Sequence, residues 1–229
     1  MNMTPPTKVI VVDDHPLFRR GVVDLLNGSR FFKVLADFSS ATLLDAYLTE
    51  LTLKETMPDL LLLDLQMPDM SGLEALKQIK PKYQALKIVI LTASDESSQL
   101  MDTIRYGADG YLMKDSEPEE IVNSLNSVVQ GHVVMNAIAV DVLAHTLRNR
   151  PEQVRLQGDN AIESMTQRER QTLDLIVQGM NNKLIARELD ISDGTVKVYV
   201  KNLLRKLNLH SRLELSAWAH ANINFHRQP

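Results

Sequence analysis

Along the first half of the chain, short unbroken apolar runs alternate with longer stretches in which apolar residues recur every three or four positions. The runs Val9 to Val12, Leu60 to Leu63, Ile88 to Leu91 and Tyr111 to Met113 are each bounded by polar residues. Their length and continuity predict strands buried on both faces, as in a parallel sheet. Val34 to Ala36 is a weaker run at the place of a fifth strand. Between the runs, Leu17, Phe18, Val22, Leu25 and Leu26 carry helical spacing, as do Ile121, Val122, Leu125, Val128 and Val129. Ser71 with Glu74, and Ser116 with Glu119, have the spacing of capping boxes and predict two helix starts. Alternation of strand and helix predicts a doubly wound α/β domain with a five-stranded parallel sheet.

The pattern changes in residues 132–163, where a helix from about Asn136 to Arg148 and a polar stretch holding Pro151 and Gly158 are read as a linker. Beyond it no strand pattern survives. Thr166 and Glu169 form a third capping-box pair ahead of Leu173, Ile176 and Val177, and Gly179 ends that helix. A short helix from Lys183 to Leu189, a tight turn over Asp190 to Gly194, and a helix from Thr195 to about Asn208 follow. A last one, from about Arg212, carries Leu213, Ala217, Trp218 and Ala221. This is an all-α four-helix domain with helix, turn, helix at its centre. The expected organisation is therefore residues 1–131, a linker at 132–163, and a second domain at 164–229.

Length agrees, since 229 residues suit two domains. The lack of cysteine excludes disulfides, thiolate metal sites and a cysteine nucleophile. No apolar run approaches the roughly 20 residues of a bilayer span, and no leader pattern opens the chain, so a cytoplasmic protein without membrane attachment is expected. The net charge of -4 is unevenly spread. Residues 1–131 hold 12 Lys and Arg against 19 Asp and Glu, a balance of -7; residues 161–229 hold 10 against 7, a balance of +3. An acidic front and a basic back predict different partners, and predict that the two ends attract each other.

The residues that end the strands carry the chemistry. Asp13 and Asp14 follow the first run, Asp64 follows Leu63, Thr92 follows Leu91, and Lys114 follows Met113. Aspartates after strands are ordinary turn formers, and singly each has that bland explanation. In a parallel sheet, however, all these positions fall on one edge, where ligands bind. Crowded carboxylates there call for a cation, and oxygen ligands select a hard one such as Mg²⁺. One carboxylate is left to attack phosphorus and form an aspartyl phosphate. Asp64 is assigned as that nucleophile, Asp13 and Asp14 as metal ligands, Lys114 as counter-charge to the phosphoryl group, and Thr92 as the hydroxyl that senses the product. His15, with no second histidine near it in sequence, is given a structural or surface role.

On the helix from Thr195, the helical wheel gathers Val196, Tyr199, Val200, Leu203, Leu204 and Leu207 on one side. The other side holds Lys197, Val198, Lys201, Asn202 and Arg205, with Lys206 at its edge. A basic helical face is often merely solvated, but the preceding helix and tight turn favour a helix laid in the major groove of double-stranded operator DNA.

The stretches VVDDHPLFRRG, PDLLLLDLQMPDMSG, ILTAS and GADGYLMKD resemble the CheY-like receiver domain of bacterial two-component response regulators, over residues 7–131. MTQRERQTLDLIVQGMNNKLIARELDISDGTVKVYVKNLLRKLNLHSR resembles the LuxR-type helix-turn-helix, and the whole chain is similar to the NarL/FixJ branch. The resemblance implies phosphorylation of Asp64 by a sensor histidine kinase, with Asp64 and the backbone carbonyl of Gln66 joining the Mg²⁺ ligands and Thr92 and Tyr111 acting as a switch pair. It further implies DNA contacts by Lys197, Val198 and Lys201, and a homodimer, on phosphorylation or DNA binding, through Leu215, Trp218 and Ala221. RNA polymerase is a further partner on this reading, and the output is nitrate- or nitrite-responsive transcription rather than enzymatic turnover. Tyr199 departs from the family pattern, which usually has His there. Haloacid-dehalogenase phosphohydrolases also use an Asp nucleophile with Mg²⁺, but need a second Asp where this chain has Gln66. A receiver-like scaffold that is never phosphorylated would not need Asp13, Asp14, Asp64, Thr92 and Lys114 together. The unphosphorylated receiver is expected to cover the DNA-binding face.

Overall fold

A computed structural model describes residues 5–93, 97–132, 134–135, 162, 164–209 and 211–223. The helix expected from Asn136 to Arg148 lies outside them. In the first domain, β1 (Thr7–Val12), α1 (Pro16–Gly28), β2 (Phe32–Phe38), α2 (Leu44–Leu53), β3 (Leu60–Leu63), α3 (Gly72–Lys82), β4 (Lys87–Thr92), α4 (Ser97–Arg105), β5 (Gly110–Met113) and α5 (Pro118–Val129) alternate as expected. A sixth strand, β6 (Val134–Met135), pairs parallel to β5 and carries the sheet past residue 131, where the sequence places the linker. Its two residues are too few to leave a periodicity.

The strand order is β2-β1-β3-β4-β5-β6, with every pairing parallel. Alternate side chains of the buried strands supply two separate cores. Val9, Val11, Leu60, Leu62, Val89, Leu91 and Leu112 meet α1 and α5 through Val22, Leu26, Ile121 and Leu125. Ile10, Val12, Leu61, Leu63, Ile88, Ile90 and Tyr111 meet α2, α3 and α4 through Leu44, Leu48, Leu76, Ile79 and Ile104. Burial on both faces explains why these runs are apolar without interruption.

Ser71 caps α3 in a full capping box with Glu74. Ser116 does not cap α5: Glu117 holds the cap position without a side-chain bond, and Pro118 opens the helix. The rigid φ of proline at the first helical position serves there in place of the box.

The second domain consists of α6 (Gln167–Val177), α7 (Asn182–Glu188), α8 (Asp193–Lys206) and α9 (Arg212–Ile223). The Thr166–Glu169 box opens α6, and Asn181 and Ser192 cap α7 and α8. Leu173, Ile176, Ile185, Val196, Leu203, Leu207, Leu213 and Trp218 are buried together. Helix α9 also touches α4 of the first domain. Among the described residues no helix is long and apolar enough to cross a membrane.

Candidate functional site

The strand order reverses at β1, so the carboxyl ends of β1 and β3 lie side by side and open a crevice at the sheet edge. The register Val12↔Leu63 sets Asp13 beside Asp64, and the Asp64 amide donates to the Val12 carbonyl at 2.9 Å. Thr92 ends β4 opposite Met113, with the Lys114 amide donating to the Thr92 carbonyl at 2.8 Å. Topology alone thus brings Asp13, Asp14, Asp64, Thr92 and Lys114 to one edge.

Within the crevice, Asp13 and Asp64 are each only 2 % exposed. Lys114 Nζ bridges them, 2.8 Å from an oxygen of each. The same ammonium lies 5.0 Å from the centre of the Phe18 ring. Burial pushes the Asp64 carboxyl above its usual range, Asp13 adds to the rise, and Lys114 opposes it. Asp14 is less enclosed, yet its Oδ1 is buried and has the His15 imidazole as its partner. Gln66 is exposed at the rim, its amide 3.3 Å from Asp64 Oδ1. Tyr111, on β5, is turned into the core, and Thr92 is fully buried.

His15 does not fit a purely surface role. Its ring is largely exposed, but Nδ1 lies 2.8 Å from Asp14 Oδ1, 3.5 Å from Asp13 Oδ1 and 3.9 Å from Asp64 Oδ2. Gly72 is a functional position that the sequence reading did not single out. A Cβ there would sit 2.0 Å from the Asp64 carbonyl oxygen, so only glycine lets α3 start this close behind the carboxylate. The sequence signal was available in the S-G pair that opens the helix. Arg19, also unremarked, donates from α1 to the Asp13 carbonyl and to Asp37.

On α8 the partition follows the helical wheel. Val196, Leu203 and Leu207 are buried, Tyr199, Val200 and Leu204 half-buried, and Lys197, Val198, Lys201 and Arg205 exposed, with Asn202 half-buried. Val198 is exposed between the cations Lys197 and Lys201. Lys206 leaves this face: its Nζ is 2.7 Å from Glu169 Oε2 and 2.8 Å from the Ser164 carbonyl oxygen. Burial disfavours the Glu169 anion, but Lys206 and the Thr166 cap outweigh it and hold the carboxyl below its usual range. On α9, Leu215 and Trp218 are buried in the chain's own core, leaving little of either for a second copy. The Ala221 side chain lies outside the described residues.

The first domain approaches the second along clefts to which Arg30, Lys80, Lys87 and Arg105 contribute from one side and Lys183, Lys197 and Arg212 from the other. Lys197 and Leu204 border these clefts, while Val198, Lys201 and Arg205 stay exposed. The face on α8 is flanked by the first domain, not covered. Asp109 and Asp193 also line these clefts and pair with Lys80, Lys87 and Lys197, but cations outnumber acids in both linings, so the attraction expected from total charges is not what lines them.

Residues 9–126 match the family model of the response regulator receiver domain, and residues 163–219 that of the luxR family of bacterial regulatory proteins. The nitrate/nitrite response regulator protein NarL of Escherichia coli (strain K12) is 38% identical over 221 residues, 96% of this chain and 98% of that protein. The nitrate/nitrite response regulator protein homolog of Haemophilus influenzae is 40% identical over 211 residues, 92% of this chain and 95% of its own. A structure of the RcsB response regulator of Salmonella typhimurium shares the fold, with a TM-score of 0.55 at 22% identity over 95% of this chain and 99% of that one.

Proposed function

Since the chain belongs to the response regulators that join a receiver to a luxR-type DNA-binding domain, we propose that phosphorylation of Asp64 by a sensor histidine kinase controls its binding to operator DNA. The observation that carries this reading is the Lys114 ammonium held 2.8 Å from both Asp13 and Asp64 in a buried crevice. A carboxylate so placed attacks phosphorus as the phosphorus–nitrogen bond of the kinase's phosphohistidine breaks, and the imidazole leaves with a proton. Lys114 then pairs with the phosphoryl oxygens, and the Thr92 hydroxyl donates to them.

The acidic crevice fits a hard divalent cation such as Mg²⁺, because oxygens of Asp14 and of the enclosed Asp13 and Asp64 converge there within 4.8 Å of one another. Asp13, Asp14 and Asp64 would hold it, with the Gln66 carbonyl. Bound there, it neutralises charge on the transferring group. Since Asp64 is an acceptor that becomes modified, the role is that of a switch and not of a turnover enzyme.

The transcriptional output falls in nitrate- or nitrite-responsive control in the cytoplasm, as the names of the two relatives at 38% and 40% identity support. A homodimer on DNA, and contact with RNA polymerase, complete the scheme. In the receiver, Thr92 and Tyr111 form the two-position element that reports the phosphoryl group to the second domain.

Asp64→Asn keeps the shape and removes the nucleophile, so acetyl phosphate or a phosphorylated kinase should leave no hydroxylamine-sensitive phosphate on that variant. Labelling of Asp64→Asn at the wild-type level would refute the assignment.

A further inference from the structure

We propose that His15 is a nitrogen ligand of the crevice's cation site, tuning it towards borderline divalent ions such as Ni²⁺ and Zn²⁺. The proposal rests on the reading of the crevice as a divalent-cation site and specifies which cations it prefers.

Local structure puts the imidazole there. His15 is the cap residue of α1, in extended conformation, but its side chain makes no capping bond. Its own amide donates to Asp13 Oδ1 at 2.8 Å, fixing its backbone to a carboxylate of the site. Pro16 at the first helical position sets the direction in which the chain leaves. The ring is thereby freed from capping and turned over the crevice mouth.

One donor atom from each of Asp13, Asp14, His15 and Asp64 lies within 4.8 Å of all the others. Bonds of about 2.1 Å separate adjacent ligands by about 3 Å and opposed ones by about 4.2 Å, so the four donors need to draw in by about half an ångström to close on one ion. The contact between His15 Nδ1 and Asp14 Oδ1 is the second indication. They lie 2.8 Å apart, the spacing of an ion pair, and Lys114 Nζ is 3.4 Å from the same nitrogen. The ring nitrogen therefore already faces the carboxylates, and a neutral imidazole would turn its lone pair to an ion held among them. Imidazole adds little to Mg²⁺ binding but strengthens binding of Ni²⁺ and Zn²⁺, and its nitrogen can also enter the coordination shell of Mn²⁺, which serves as a paramagnetic probe.

The test uses the full-length protein and three sequences: wild type, His15→Ala, and Asp13→Asn with Asp14→Asn. Mn²⁺ is added below stoichiometry, and pulsed electron paramagnetic resonance reads nitrogen coupling to the ion. Coupling in the wild type that is lost from both variants supports the proposal. No coupling in the wild type overturns it, as does coupling that persists in His15→Ala, which would come from another histidine. Calorimetry with Ni²⁺ and with Mg²⁺ separates a ligand from a merely structural residue. His15→Ala should weaken Ni²⁺ binding by about tenfold or more and leave Mg²⁺ binding within a few-fold of wild type. Equal loss of both ions, or of neither, refutes the nitrogen ligand. If the wild type binds neither ion, the cation-site reading itself falls and the proposal with it; Mg²⁺ binding without nitrogen coupling sinks only the proposal.

Discussion

Asp109 shows how a single carboxylate can be structural at a distance from the chemistry. It accepts from Lys80 at 2.6 Å, from Lys87 at 2.8 Å and from the Ile88 amide at 3.0 Å. Burial works against its ionisation, but the two ammonium groups outweigh this and hold the carboxyl below its usual range. A carboxyl depressed in the folded state contributes stability that is present above its unfolded pKa and is lost as pH falls through the folded value. Asp109→Asn should therefore cost about 3 kcal/mol near neutrality, and the cost should shrink below about pH 4. Urea unfolding at pH 7 and pH 3 checks this; equal losses at both would mean that charge is not the cause. At this scale the sequence is legible where residue type and strand end coincide, as for Asp13, Asp64, Thr92 and Lys114. It is not legible where a role depends on a ring's direction or on atoms that would collide. His15 looks like a surface residue in a string of letters, and Gly72 like an ordinary turn, until the carboxylates and the Asp64 carbonyl stand beside them.

The helices that the sequence placed within the described residues were readable to within a few residues, because apolar spacing and caps are local. Ser71 and Thr166 cap as their spacing predicts, whereas Ser116 is overridden by Pro118 two positions later. The wheel of α8 fails only for Lys206, whose long side chain reaches back to Glu169 and Ser164 on the edge of α6. This separates two lysines on one helix. Lys201→Ala should weaken binding to duplex DNA and lower the salt slope by about 0.9 if the side chain neutralises one phosphate. Lys206→Ala should leave that slope unchanged and lower thermal stability, because Glu169 loses its buried partner. Fluorescence anisotropy across a KCl series measures both, and a reduced slope in Lys206→Ala would return it to the DNA face.

For the whole molecule, division into two domains was legible in the change of periodicity, but the contact between them was not. Total charge averages over surfaces, whereas the clefts beside the DNA-binding domain are lined by Arg30, Lys87, Arg105 and Arg212 against the acids Asp109 and Asp193. Repulsion between cationic surfaces is screened by salt. Raising KCl from about 0.05 M to about 0.5 M should therefore reduce the radius of gyration in X-ray scattering as the domains settle together. Expansion would show that opposite charges hold them. The short strand β6 gives the contact a further property. Tyr111 pairs with Met135, so the receiver grips the outgoing chain beside its own buried tyrosine. Each residue that peels from this grip adds about 3.3 Å to the leash between the domains. A longer leash dilutes each domain in the other's neighbourhood. The strand that carries Tyr111 thus sets a length, and through that length a local concentration.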